Sequence, residues 1–189
     1  MAANAETESS LIVCLTGPES TGKSTLAKAL AEEFAAPLVS EVARDYLTGK
    51  DGYDREDVLA IARMQLAAEQ TMLDTEPRLM ICDTDLLVIR IWWEEKYGTL
   101  DPWLREALLE RCQRHYLLMR PDLPWVADSL RDAPHDRERL YTRYQHALAE
   151  DGFPFVEISG SGHRRTNQAV AQVRAWWHER TWVVPPKGS

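Results

Sequence analysis

What this chain has little of narrows its class before any motif is read. Three cysteines, Cys14, Cys82 and Cys112, stand far apart with no C-x-x-C and no paired spacing. That pattern excludes a disulfide framework and offers no thiolate zinc site, so they read as buried thiols in a reducing cytoplasm. No apolar run approaches the roughly 20 residues a membrane-spanning helix requires. The opening MAANAETESS lacks the basic start and apolar centre of a signal or transit peptide. Basic charge is scarce too, with 22 Lys and Arg against 30 Asp and Glu, for a formal net charge of −8. This speaks against a nucleic-acid partner and suits a small or cationic substrate. No internal repeat recurs, and 189 residues make one domain with a substantial core. The boundaries expected are a flexible start over 1–10, a single domain over 11–182 and a tail over 183–189.

What is present centres on LIVCLTGPESTGKST. The run Leu11 to Leu15 reads as a buried strand, and Gly17 to Ser24 fits G-x-x-x-x-G-K-[ST] before an amphipathic pattern of Ala27, Leu30, Ala31 and Phe34. This is a P-loop in its proper context. Gly17 and Gly22 let the backbone turn consecutive N–H groups toward a polyphosphate, and the following helix aims its positive end at the same oxygens. Gly17, Pro18, Glu19, Ser20, Thr21, Gly22, Lys23, Ser24 and Thr25 are therefore expected to hold ATP. Lys23 reaches for the β- and γ-phosphates, and the Ser24 hydroxyl for Mg²⁺.

Further along, Leu38-Val39 is a short second strand delivering Glu41, Arg44 and Asp45, and Asp54 caps a helix that turns Val58, Ile61, Ala62 and Leu66 inward. Leu79 to Cys82 is a third strand ending in Asp83-Thr84-Asp85, which in a P-loop chain places Asp83 beside Mg²⁺ or its bound water. Leu86 to Tyr97 is helical with a stop at Gly98. Asp101-Pro102 opens another helix with a stripe of Leu104, Ala107, Leu108 and Cys112. Trp92, Trp93 and Trp103 read as packing residues. Tyr116 to Met119 is a fourth strand, Leu140 to Leu148 a helix closed by Asp151-Gly152, Phe153 to Ile158 a fifth strand, and Val170, Val173 and Trp177 one side of a last helix.

Strands alternating with helices after a P-loop predict an α/β fold, a parallel five-stranded sheet covered by helices on both faces. The site then lies at the carboxyl ends of the strands. Gly17 to Ser24, Glu41 to Asp45, Asp83 to Asp85 and Trp125 to Arg131 should converge in one cleft. The charged stretch within about 124–139 falls where P-loop kinases carry a lid, so Arg131, Arg137 and Arg139 are candidates for phosphate contact. Glu41, Asp45, Asp85 and Asp128 are candidates for an acceptor's hydroxyls, and Trp125 for stacking on its ring.

Taken together, GPESTGKST, EVARDY, DTD and PWVADSLR, in this order, resemble the ribosylnicotinamide kinase domain of NadR-type proteins. The resemblance covers nearly the whole chain from Leu11. It implies a P-loop kinase that uses ATP and Mg²⁺ to phosphorylate nicotinamide riboside to the mononucleotide, a step of NAD salvage. By position it implies ATP on Gly17 to Thr25 with Arg131, metal support from Ser24 and Asp83, and the acceptor among Glu41, Arg44, Asp45, Asp85, Trp125 and Asp128. Lys23, Glu41, Asp83 and Arg137 are the candidates for catalysis; the resemblance does not assign the general base, and among Glu41, Asp83 and Asp45 the residues themselves favour Glu41. Such proteins can also carry a helix-turn-helix and an adenylyltransferase domain, for which the ten residues before the first strand leave no room, so neither operator binding nor NAD formation is expected. Ser129 replaces the glycine expected after P-W-V-A-D. Two other readings stay open: a deoxynucleoside or other small-molecule kinase, and a nucleotide-dependent switch or ATPase module acting on a protein partner.

Overall fold

The computed structural model of the chain describes residues 10–126 and 136–181. Its strands are β1 (Leu11–Thr16), β2 (Leu38–Val39), β3 (Leu79–Asp83), β4 (His115–Met119) and β5 (Phe155–Ile158). Its helices are α1 (Lys23–Phe34), α2 (Val42–Leu47), α3 (Arg55–Leu73), α4 (Leu86–Tyr97), α5 (Pro102–Leu109), α6 (Arg137–Asp151) and α7 (Gly162–Thr181).

All strand pairs are parallel, in the order β2-β3-β1-β4-β5. β1 is therefore central and covered on both faces, which is why its sequence is apolar throughout rather than alternating. Leu11, Val13 and Leu15 pack with Leu26 and Leu30 of α1 and Val173 and Trp176 of α7. Ile12 and Cys14 point the other way, toward Leu87 and Ile91 of α4 and Tyr144 and Leu148 of α6. A third cluster joins Leu47 of α2, Ile61 of α3, Ile89 and Trp93 of α4 and Leu104 of α5. That cluster packs α2, α3, α4 and α5 together and includes Ile61 and Ile89 of the cavity wall.

Local signals set several boundaries. Asp54 caps α3 with a full capping box through Asp57, and Asp101 with Pro102 at the first turn caps α5. Gly152 ends α6 in the left-handed region, as the Asp151-Gly152 pair implied. Two expectations are corrected. Cys112 lies beyond the end of α5 and is exposed, whereas Cys14 and Cys82 are buried. β5 begins at Phe155 instead of Phe153, because the Phe153 N–H is spent on Leu148 O at the end of α6. Among the described residues no helix is long and apolar enough to cross a membrane.

Candidate active site

The turn after β1 is held by close packing. Gly17 has φ 127, and a Cβ on it would lie 2.8 Å from Met119 O, so only glycine lets the loop cross the end of β4. Gly22, at φ 79, ends the loop and caps α1. The Thr21 hydroxyl donates to Pro18 O at 2.8 Å, and Lys23 Nζ donates to Gly17 O at 2.9 Å and Pro18 O at 2.7 Å. The ammonium thus lies against the same curl of backbone whose N–H groups form a phosphate cradle.

Two arginines brace this loop from distant helices. Arg137, at the start of α6, donates to Ser20 O at 3.3 Å and Leu123 O at 2.9 Å. Its Nε is buried with no partner among the described residues. Arg165 of α7, 5% exposed, donates to Thr21 O at 2.9 Å, Arg120 O at 3.0 Å, Gly160 O at 2.7 Å and Asp122 Oδ1 at 2.6 Å. Sequence reading missed Arg165, although a basic residue just after the S-G-S-G turn beyond β5 was the available signal.

Asp83 ends β3 next to this loop. Its carboxyl is raised above the ordinary carboxylate value by burial, against the opposing pull of the Ser24 hydroxyl and the Lys23, Arg44 and Lys28 charges. Its Oδ1 is buried with no hydrogen-bond partner among the described residues. A buried acceptor beside a hydroxyl and a P-loop fits a hard cation whose remaining ligands are phosphate oxygens and water.

Gly17 through Thr25 line a cavity of about 840 Å³ together with Glu41, Arg44, Gln65, Thr84, Glu95, Arg139 and the rings of Tyr53, Trp92 and Tyr144. Glu41 is the first residue before α2, and Arg44 lies 4.0 Å from its carboxylate. Trp92 donates its indole N–H to the Tyr53 hydroxyl at 2.8 Å, and the two rings meet edge to face. Lys96 Nζ sits 3.3 Å from the centroid of the Tyr53 ring. Trp92 packs against the third core cluster, as its sequence context suggested, and also forms part of the cavity wall. Trp93 is buried and Trp103 packs under Arg63, as expected of them.

Not every expected residue reaches this cavity. Asp85 is 0% exposed. Its Oδ1 accepts from Leu87 N at 3.0 Å as the cap of α4, and its Oδ2 accepts from Tyr116 at 2.6 Å, Arg114 at 3.0 Å and Arg111 at 3.3 Å. Burial pushes this carboxyl up, and the two guanidiniums with the Tyr116 hydroxyl outweigh it, leaving the group below its ordinary value. The reading of Asp85 as an acceptor ligand is corrected to that of a buried structural acid. Asp45 is exposed on α2 and is not part of the cavity wall. Trp125 is half-buried against the P-loop, its indole N–H donating to Glu19 Oε1 at 2.7 Å, and it too lies outside the wall. Arg139 is committed to carboxylates, Glu95 at 2.6 and 3.1 Å and Asp136 at 3.2 Å. Asp128 and Arg131 fall outside the described residues.

With this geometry in view, comparison with known proteins places the chain. Residues 12–165 match the AAA_28 family, described as an AAA domain. The chain belongs to this family of AAA domains. The chain is also similar to the trifunctional NAD biosynthesis/regulator protein NadR of Salmonella typhimurium, at 26% identity over 155 residues, and to that of Escherichia coli K12, at 27% over 153 residues. Each alignment covers 77% of this chain and 37% of the relative, so the chain spans well under half the length of the curated proteins it matches. Among solved structures, NadR in complex with NR superposes with a TM-score of 0.73 at 23% identity, over 97% of this chain and 55% of that one. Deoxyadenosine kinase from M. mycoides superposes with a TM-score of 0.60 at 14% identity, over 87% and 100%. The AAA domain described here has the P-loop kinase fold, and its resemblance to the kinase portion of NadR-type proteins extends through the whole sheet.

Proposed function

We propose that this chain transfers the γ-phosphoryl group of ATP to the hydroxyl of a small nucleoside-like acceptor, nicotinamide riboside above others. The observation that carries this reading is that one cavity is lined by the P-loop and Glu41 and also by the Tyr53, Trp92 and Tyr144 rings. A phosphate donor, a carboxylate and a ring-binding wall share one space. The likeness to NadR supports nicotinamide riboside as the acceptor.

In the proposed reaction the P-loop N–H groups and Lys23 hold the donor phosphates, while the aromatic wall orients the acceptor so that its hydroxyl approaches the γ-phosphorus in line. Glu41 accepts the hydroxyl proton as the new P–O bond forms and the bond to the β-phosphate oxygen breaks, releasing ADP. Ser24 and Asp83 are the residues that would hold Mg²⁺, which supplies charge neutralisation on the phosphates. Arg137 is not part of the cavity wall, and its proposed part is to hold the P-loop in shape through the Ser20 and Leu123 carbonyls. A pyridinium ring against Tyr53 or Trp92 gains about 0.5 to 2 kcal/mol of cation–π attraction, for which it competes with Lys96.

A second reading, phosphorylation of a deoxynucleoside, draws on the superposition with deoxyadenosine kinase over that protein's full length. ADP release measured with ATP and Mg²⁺ separates the two. Stimulation by nicotinamide riboside and not by deoxynucleosides is the expected result. Stimulation by deoxyadenosine alone would transfer the conclusion to the second reading, and brisk turnover with no acceptor would sink both.

A further inference from the structure

Helix α3 carries two polar residues on the side it buries. Gln65 and Glu69, one helical turn apart, are 2% and 3% exposed within the stripe that includes Val58, Ile61 and Ala62. A polar pair in a core stripe persists only if every group is satisfied, and here each partner is identifiable. Gln65 Oε1 accepts from Val42 N at 3.2 Å, and Gln65 Nε2 donates to Glu69 Oε1 at 3.4 Å. Arg114 Nη1 donates to Glu69 Oε2 at 3.0 Å and to Asp85 Oδ2 at 3.0 Å. An unbroken chain of hydrogen bonds thus runs from the cap of α4 to the first turn of α2.

The direction of this chain is chemically determined. The Glu69 carboxylate, paired with Arg114, accepts hydrogen bonds, so the Gln65 NH₂ must face it and the Gln65 carbonyl must face Val42. The Val42 N–H is one of the donors a helix start leaves without an intrahelical partner. The side chain of Glu41, the residue at the cap position, makes no capping bond to α2. The cap comes from across the cleft wall, and Glu41 is held at the mouth of α2 with its carboxylate lining the cavity.

We propose that Gln65 is a positioning residue for Glu41, its amide oriented by the buried Glu69–Arg114–Asp85 chain so that the acceptor carboxylate is presented to the cleft. This rests on the reading of Glu41 given above, and the test keeps the two apart. Q65M preserves bulk and removes both hydrogen bonds. With nicotinamide riboside, its kcat/KM falls about tenfold, the scale of one lost hydrogen bond, while the KM for ATP stays within about twofold. In an E41Q background the same substitution has no further effect. An additive loss in that background overturns the proposal, as does a Q65M enzyme with wild-type constants. E69Q, which frees the amide to turn over, moves the same constants in the same direction by less.

Amide hydrogen exchange on the full chain is the second arm. Val42 loses protection in Q65M while β1 and α1 keep theirs, and unchanged protection of Val42 overturns the proposal whatever the acceptor is. If Q65M loses protection in β1 as well, it has unfolded, and E69Q carries both arms. A wild-type chain idle with nicotinamide riboside refutes the substrate reading alone, and the exchange of Val42 still decides the role of Gln65.

Discussion

The phosphate side of the cleft and the buried wall behind its acceptor side meet at Asp83 and Asp85, and these two acids do opposite work. Asp83 faces the P-loop, has a buried oxygen with no hydrogen-bond partner among the described residues and is raised above its ordinary value. Asp85 is enclosed by Arg111, Arg114 and Tyr116 and is lowered. In a regular strand, residues two apart point the same way. Thr84 breaks that alternation with φ 73, a conformation costing about 1 to 3 kcal/mol for a residue other than glycine. The kink leaves Asp83 beside Ser24 of the P-loop, puts Thr84 in the cavity wall and turns Asp85 to the cap of α4. A run of three residues thereby serves chemistry at one end and architecture at the other.

The largest expected effect lies on the phosphate side. Lys23→Ala lowers phosphoryl transfer by about 10³-fold with little change in Tm, as expected when a charge-stabilising donor is removed. Turnover near wild type would refute that side of the site. Asp83→Asn lowers transfer by about 10²-fold while Tm holds or rises, because a buried charge is lost. If its Tm fell instead, Asp83 would belong with Asp85 and the contrast would fail. Asp85→Asn takes one carboxylate partner from each of two buried guanidiniums, leaving Arg111 with Asp151 and Arg114 with Glu69, and lowers stability by about 3 kcal/mol, or about 6 to 12 °C in Tm. The folded fraction keeps its acceptor KM, and a raised KM at unchanged Tm would return Asp85 to the substrate.

Acid titration sharpens the same comparison. Asp83 is raised in the fold, so the folded chain holds that proton more tightly than the unfolded one. Its charge costs stability above the raised value, and the cost is gone below the ordinary carboxylate value of about 4. Asp85 is lowered, so its contribution is full above the ordinary value and is lost as pH falls through its lower folded value. Thermal unfolding of wild type, Asp83→Asn and Asp85→Asn in a descending pH series should therefore converge first for the Asp83 variant and later for the Asp85 variant. The reverse order would contradict the assignments. Thr84→Gly has the smallest effect: the left-handed kink is retained without its strain, activity is kept, and Tm moves by no more than a few degrees in either direction, because glycine also costs more chain entropy. A large loss of activity would mean the threonine side chain itself takes part.

The phosphate side was legible because its chemistry is local. Gly17, Gly22, Lys23 and Ser24 lie within one turn of chain, and a backbone that must curl around phosphate leaves a fixed spacing of glycines. Of the rest of the cavity wall, only Glu41 and Arg44 were legible, carried on the short segment after β2. Tyr53, Trp92 and Tyr144 come from three separate segments and share a wall only after α4 and α6 pack on the same face of the sheet. Gln65 and Glu69 did leave a trace, as polar residues in an apolar stripe, but nothing in their spacing told who would satisfy them. The reading of Asp85 failed for a related reason, since residue type and strand position announce a carboxylate without saying which way it turns.

By itself the sequence determined the strand and helix order, the parallel sheet and the phosphate-binding loop, because apolar periodicity, caps and glycine spacing act over a few residues. Only the tertiary structure decided which acids line the cavity, which are locked among arginines, and which aromatic rings share the cavity wall. Those outcomes depend on desolvation and on partners such as Arg111, Arg114 and Arg165, brought into contact by the sheet from far along the chain.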